Sequence, residues 1–363
     1  MSKQTVVIVH GMGSTTKQEF EDNFVLSCEN AFNLYDKLKG KNVRESFNIE
    51  TFDYNEIFEG VRKKMTSGSP TIKDFVSSNK NGATAKALPG FVDSIDGIYD
   101  FISDDNIFST HWLDVLIYRT TLFAEDVRVH FAKFLCDVIE RKGDGTGDVH
   151  IVAHSLGTAV VHDTLAKLYV DDFPFKRKLD IEVPRKLNLD GYRLSSVHLF
   201  ANVSRVLESF VDVDESVVKP GSGCTQYLNQ YLNVLDPIPR VKAFHPSRTD
   251  GWVSPDVWSR RYRRVETSSI TAGNPHSLSH YLLDPENSYE LFYHILPDAA
   301  LTKEDQKFAQ EKFDALTLEA KTKKLKLEFR NLDLSDRAGF KDLLNAMSDL
   351  KNFLDGIGEE WRN

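Results

Sequence analysis

Residues 149–153, Val-His-Ile-Val-Ala, form a short apolar run that stops at His154-Ser155-Leu156-Gly157 and resumes as an apolar segment over 158–168. The run predicts a buried strand, and the segment after it a buried helix. The junction constrains both fold and chemistry. A serine on so tight a strand-to-helix turn projects its hydroxyl from the sheet edge, which is the setting of a nucleophilic serine. Small residues two before and two after it let the helix pass close to the strand. Here these are Ala153, where glycine is usual, and Gly157. The plainer reading is that Ser155 only caps the helix N-terminus.

The rest of the chain repeats the strand–helix rhythm. Residues 5–9, Thr-Val-Val-Ile-Val, predict a buried strand feeding the glycine-rich loop His10-Gly11-Met12-Gly13-Ser14. A helix is expected over 18–38, from the spacing of Phe20, Phe24, Ala31, Leu34 and Leu38. Residues 118–139 predict another, and strands are expected over 47–54, 196–202, 230–236 and 263–270. Alternating strands and helices imply a mainly parallel sheet with helices on both faces.

Two segments depart from this rhythm. Residues 57–113 are long for a connection, and Phe91, Ile95, Ile98 and Ile102 place one apolar stripe on a helix there. That segment reads either as a lid over an apolar substrate site or as an insertion packed on the core. The tail from Leu301 is charged and lysine-rich. A helix to about residue 323, a short strand over 325–329 and an amphipathic helix over 335–357 are expected there. The chain therefore divides into a main domain, 1–300, carrying a lid-like insertion at 55–114, and an accessory segment, 301–363.

The bounds are those of an ordinary soluble protein. The chain has 363 residues, 45 Lys and Arg against 54 Asp and Glu, and a formal net charge of −9, a balance that argues against nucleic acid as a general partner. Cys28, Cys136 and Cys224 are too far apart for a zinc site and odd in number, so they are expected to be buried thiols in a reducing compartment. No signal peptide or transmembrane stretch is visible, and a cytoplasmic location is expected.

A serine hydroxyl needs a base within hydrogen-bond reach, an acid to orient that base, and donors for the developing oxyanion. Asp236 closes an apolar run and precedes Pro237-Ile238-Pro239-Arg240, which places a carboxylate at the end of a strand. Asp212 and Asp214 are rival acids. His276, in Gly273-Asn274-Pro275-His276, sits in a loop before a helix expected over 277–283, and is favoured as base over His280 inside that helix. The pair lacks the glutamate of a His-Glu-x-x-His zinc motif, so no metal is expected. The amide of Leu156 and that of Met12, in the loop after the first strand, are the candidate oxyanion donors.

The order Ser155, Asp236, His276 behind a His-Gly loop resembles the α/β-hydrolase superfamily. The stretches His154-Ser155-Leu156-Gly157, Phe200-Ala201-Asn202-Val203 and Asn233 to Arg240 are similar to its lipase and esterase branch, which includes the fungal-type triacylglycerol lipases. The resemblance covers about residues 5–54 and 115–295. It implies an α/β-hydrolase fold and acyl transfer to water. Ser155 would attack an ester carbonyl, with His276 as base and Asp236 orienting it. No cofactor is implied. The implied partner is a small-molecule or lipid ester, with transient contact at a lipid surface compatible with the lid. A thioesterase, amidase or acyltransferase would use the same residues. A hydrolase fold serving as a non-catalytic binding or regulatory module is the alternative of a different class. The sequence leaves acyl-chain length and oligomeric state open.

Several features invite over-reading. Arg260-Arg261-Tyr262-Arg263-Arg264 reads first as a solvated strand edge and second as a site for a phosphate or carboxylate. His162-Asp163 looks like a catalytic dyad but falls within the helix after the elbow, so it is read as structural. His10 is expected to shape its loop. Trp252 and Trp258 are expected either to line the pocket or to fill a surface loop.

Overall fold

The computed structural model describes residues 3–11, 16–55, 123–142, 149–170, 192–205, 215–236, 239, 244–248, 251–269 and 275–314. Its strands are β1 (Thr5–Val9), β2 (Asn48–Phe52), β3 (Val149–His154), β4 (Leu194–Phe200), β5 (Thr225–Asn233) and β6 (Tyr262–Thr267). They form one sheet in the order β2-β1-β3-β4-β5-β6, and every neighbouring pair is parallel. The architecture is α/β. All five β1 residues are buried, as expected of a central strand covered on both faces.

The helices are α1 (Lys17–Phe32), α2 (Val43–Ser46), α3 (Phe123–Lys142), α4 (Leu156–Leu168), α5 (Pro255–Arg261), α6 (Leu278–Leu283), α7 (Pro285–Ile295) and α8 (Lys303–Asp314). Side chains alternate along the strands, so two cores form. Val7, Val9, Ile151, Ala153, Val197 and Leu199 pack with α3 and α4. Val6, Ile8, Val152, Phe200 and Tyr231 pack with α1, α6, α7 and α8 on the other face. The chain leaves β1 for β2 through α1, then returns to β3 through a connection containing α3 on the opposite face. The strand order therefore reverses between β1 and β3, and the carboxyl ends of these two strands flank the crevice where α/β sheets bind ligands.

The expected elements need adjustment at their ends. Helix α1 starts on a capping box in which Thr16 and Glu19 bond reciprocally. It ends at Phe32, not 38. Leu34 and Leu38 remain buried, but on turns closed by bonds from Leu34 N to Ala31 O and Tyr35 N to Phe32 O. The Tyr35 hydroxyl is tied instead to Ser288 and to the Pro285 carbonyl. Strand β5 starts five residues earlier than expected and ends at Asn233, because the chain turns there with Asp236 N bonded to Asn233 O at 3.0 Å.

Buried polar residues in the strands bond to one another. On the α7 side of the sheet, Gln4, His150, Ser196, His198 and Tyr231 form a hydrogen-bonded row across β1, β3, β4 and β5. Burial pushes His150 down to about 3 and His198 well below the usual histidine range, so both rings are neutral. The three cysteines are buried and free, and burial raises the Cys136 and Cys224 thiols to about 12.

The first helix of the 301–363 segment belongs to the packed layer. Ala309 and Phe313 of α8 are fully buried in the core shared with α1 and α7. Lys37 reaches Ala300 O and Asp305, and Lys312 reaches Leu34 O and Asp36. The strand and second helix expected in the tail lie outside the described residues. So does the apolar stripe read either as a lid or as an insertion packed on the core. No helix among the described residues is long and apolar enough to cross a membrane.

Candidate active site

Ser155 occupies the single residue between β3 and α4, with φ 53° and ψ −126°. This backbone conformation is costly for a side chain with a Cβ and persists only where neighbours enforce it. Several do. Ser155 N donates to Phe200 O at 3.0 Å, locking the turn to the end of β4. Ser155 O accepts from both the amide and the hydroxyl of Thr158, and that hydroxyl accepts from Val203 N at 3.0 Å. A Cβ on Gly157 would lie 2.4 Å from His10 O and 2.6 Å from Val9 O, so only glycine lets α4 start directly against the end of β1. A Cβ on Gly11 would meet the Ser155 Cβ at 2.8 Å. The loop after β1 and the serine turn are thus in contact.

Ser155 does not cap the helix: its side chain bonds no first-turn amide of α4. Its Oγ lies 2.9 Å from His276 Nε2. On the far side of that ring, Nδ1 lies 2.7 Å from Asp236 Oδ2. Ser155, His276 and Asp236 are all at most 2% exposed. Sequence-distant residues from the ends of β3, β5 and the loop after β6 therefore meet in one hydrogen-bonded line.

Each member is held by its own supports. Asp236 Oδ2 also accepts from the Tyr281 hydroxyl at 2.8 Å, and that hydroxyl accepts from Asn233 N at 3.0 Å. Asn233 Oδ1 accepts from Leu235 N, which closes the turn that presents Asp236. His154 Nε2 donates to the His276 backbone carbonyl at 2.7 Å, and the two rings lie 5.1 Å apart. Ser277 caps α6 directly after His276, which fixes where the loop gives way to helix.

His280 is placed elsewhere. Its Nε2 faces Ser269 O at 2.9 Å and Asn233 Nδ2 at 3.0 Å, while Asn233 Nδ2 donates to the same carbonyl. Burial holds His280 below the usual histidine range. It ties the strand ends of β5 and β6 together and is not the ring that meets Ser155. The rival acids Asp212 and Asp214 and the oxyanion candidate Met12 lie outside the described residues. Leu156 is buried at the first position of α4, where its amide has no intrahelical acceptor and the positive end of the helix dipole faces Ser155.

The loop after β1 is braced from β2. His10 Nε2 meets Asp53 Oδ1 at 3.0 Å, and its Nδ1 faces Gly11 O. The Tyr54 hydroxyl donates to His10 O and Gly11 O, with its ring stacked on the imidazole at 4.2 Å. Burial pushes the Asp53 carboxyl up, but the bonds from His10 and from Asn55 N outweigh it and hold it low. His10 thus shapes the loop, as its position suggested. His162 bonds Ser216 and sits 3.8 Å from Asp163, which pairs with Arg128, so this apparent dyad is part of the α3–α4 packing. Trp252 neither lines the site nor fills a surface loop. It is 1% exposed in the core, edge-on to Phe244, Trp258 and Tyr262.

Sequence reasoning missed His154, Asn233, Tyr281, Asp53 and Tyr54 as supports. A signal was available for Tyr281, which lies on the helix that follows the base. Asn233 lies in the same turn as Asp236, while the contacts of His154, Asp53 and Tyr54 join segments too far apart in sequence for spacing to reveal. Among the described residues, no three His, Cys, Asp or Glu side chains are gathered as metal ligands would be. No protein-family model, curated protein or solved structure was found to match this chain.

Proposed function

We propose that this chain is a serine hydrolase of carboxylic esters, of lipase or esterase type, built on an α/β-hydrolase fold. The observation that carries the proposal is the buried line from Ser155 Oγ through His276 to Asp236, with the serine on a strained turn at the strand-order reversal. Three further features favour it. The serine follows a central strand, the acid and base follow β5 and β6 in chain order, and α4 begins at the residue directly after the serine.

In the proposed reaction, Ser155 Oγ attacks the ester carbonyl while His276 Nε2 takes its proton. Asp236 holds the other ring nitrogen protonated and the imidazole oriented. The Leu156 amide stabilises the tetrahedral oxyanion. Collapse of this intermediate breaks the ester C–O bond, and His276 protonates the departing alcohol. Water then repeats the sequence on the acyl-serine, with His276 again as base, and releases the carboxylic acid. Tyr281 and His154 act through their neighbours as positioning residues, one on the carboxylate and one on the histidine backbone.

The test is labelling with a fluorophosphonate, followed by mapping of the modified peptide. Wild type is expected to label at Ser155. His276→Ala is expected to lose labelling, while folded His280→Ala retains it. Folded wild type that stays unlabelled with and without detergent micelles would overturn the proposal.

A further inference from the structure

A cavity lies away from Ser155, under α7 and against the first half of β6. Its volume is about 240 Å³, and its wall includes Tyr227 and Asn229 of β5, Arg261 at the end of α5, Arg263 of β6, and His294 of α7. Register places Asn229 beside Arg263. Asn229 is 1% exposed, yet neither its amide oxygen nor its amide nitrogen has a hydrogen-bond partner. Leaving both ends of a buried amide unmet is destabilising, so the asparagine points to a ligand that meets them.

The charges around the cavity do not cancel. Lys303 pairs with Glu290 at 2.9 Å, and Arg260 pairs with Asp256. Arg261 sits over the Tyr227 ring, and Arg263 donates to the Ser259 and Tyr262 carbonyls. Neither of these two guanidiniums has a carboxylate partner among the described residues. Two positive charges are thus left over at one cavity of a chain whose formal charge is −9. Burial and the nearby Arg263 push His294 down to about 4, so its ring stays neutral at pH 7.

We propose that this cavity binds a small hydroxylated phosphate monoester, of the glycerol phosphate or inositol phosphate class. A dianionic phosphate matches the two uncompensated guanidiniums, whose planar forks suit its oxygens. The fully ionised phosphoryl group of a monoester accepts only, and so meets the Asn229 nitrogen but not its oxygen. The oxygen requires a donor, and a polyol hydroxyl next to the phosphate supplies one. The volume is below the ~300 Å³ at which sites for drug-sized ligands begin, which favours a small polar ligand. A free phosphomonoester and the same group on a lipid headgroup present the same recognised chemistry.

Titration calorimetry on the full chain tests this with sn-glycerol 3-phosphate, myo-inositol 1-phosphate, inorganic phosphate and glycerol. Flotation with phosphatidylcholine vesicles, with and without phosphatidylinositol 4-phosphate, tests the lipid source. One saturable site is expected for at least one phosphomonoester, tighter than for inorganic phosphate and weakened by salt. The double variant Arg261→Gln, Arg263→Gln, whose side chains are not in a core, is expected to lose at least about tenfold in affinity. Asn229→Leu, where it folds, is expected to reduce phosphomonoester affinity to that of inorganic phosphate. Binding to the vesicles alone, lost in the arginine variant, supports the site with a lipid headgroup as its ligand. Absence of saturable binding to every soluble phosphate and to the vesicles overturns the proposal. So does binding that the arginine variant leaves unchanged.

Discussion

Gly157→Ala tests how the serine turn is held. The added Cβ would lie 2.4 Å from His10 O, against the 3.4 Å at which ordinary contact begins, so α4 and the end of β1 must separate by about 1 Å. The atoms in the way are backbone carbonyls of a central strand buried on both faces, with no flexible side chain to yield. Overpacking of this kind costs about 1–3 kcal/mol, enough to lower the thermal midpoint by roughly 1–4 °C in a chain of this size. The same displacement moves Ser155 and the Leu156 amide relative to the loop at Gly11. An error of that size in a reacting constellation costs on the order of a hundredfold in rate. The assay is the second-order rate of fluorophosphonate labelling, read beside the unfolding midpoint by calorimetry. Gly251→Ala is the control. Its φ is +77° with nothing within 4 Å of the added Cβ, so it is expected to lose about 1 kcal/mol through backbone strain alone and to label at the wild-type rate. If Gly157→Ala keeps both its midpoint and a labelling rate within about twofold of wild type, the close approach of α4 to β1 does not hold the turn.

Two further outcomes follow from buried hydroxyl and carboxyl groups. Tyr281→Phe removes one bond to Asp236 and leaves the buried Asn233 amide unmet, an expected loss of about 1–3 kcal/mol in stability. Ester hydrolysis by this variant should fall in kcat with little change in KM; a change confined to KM would refute the positioning role. Asp284, which accepts from Ser269 and caps α7, is pushed up to about 6 by burial. A carboxyl raised on folding favours the native state below its unfolded value near 4, and that advantage is lost as pH rises through 6. Asp284→Asn should therefore gain on wild type by up to about 3 kcal/mol between pH 4 and pH 7 in urea unfolding. Parallel pH profiles for the two proteins would show that the carboxyl does not titrate in this way.

The strand–turn–helix around Ser155 was legible because its β-branched run and Gly157 are local signals. Asp236 and His276 were legible because each follows an apolar run and precedes or lies in a turn. The choice between His276 and His280 was less so, since both lie near the same strand end. Packing decides it: Ser269 O and Asn233 engage His280, while the turn before Ser277 frees His276 to face the serine. Apart from the local Asn233–Leu235 turn, the supports of the site were hidden because they are tertiary. His154 and the His276 carbonyl are 122 residues apart, and His10 and Asp53 are 43 apart. Strand β5 was cut short in the reading because Gln226 and Asn229 break its apolar pattern. Helix α7 went unread, although Asp284 and Pro285 mark its start as clearly as any pair in the chain.

The strand order also bears on synthesis. From β3 onward, each new strand joins the outer edge of the one before it, so the sheet can grow in the direction of translation. Ser155 leaves the ribosome 121 residues ahead of His276. At about 5–20 residues per second that interval is roughly 6–24 s. Throughout it the serine turn can exist, but the ring and carboxylate that engage its hydroxyl do not. Under the proposed reaction a nascent or truncated chain would therefore be silent toward esters, and the arrival of the segment after β6 would complete the Ser155–His276–Asp236 line.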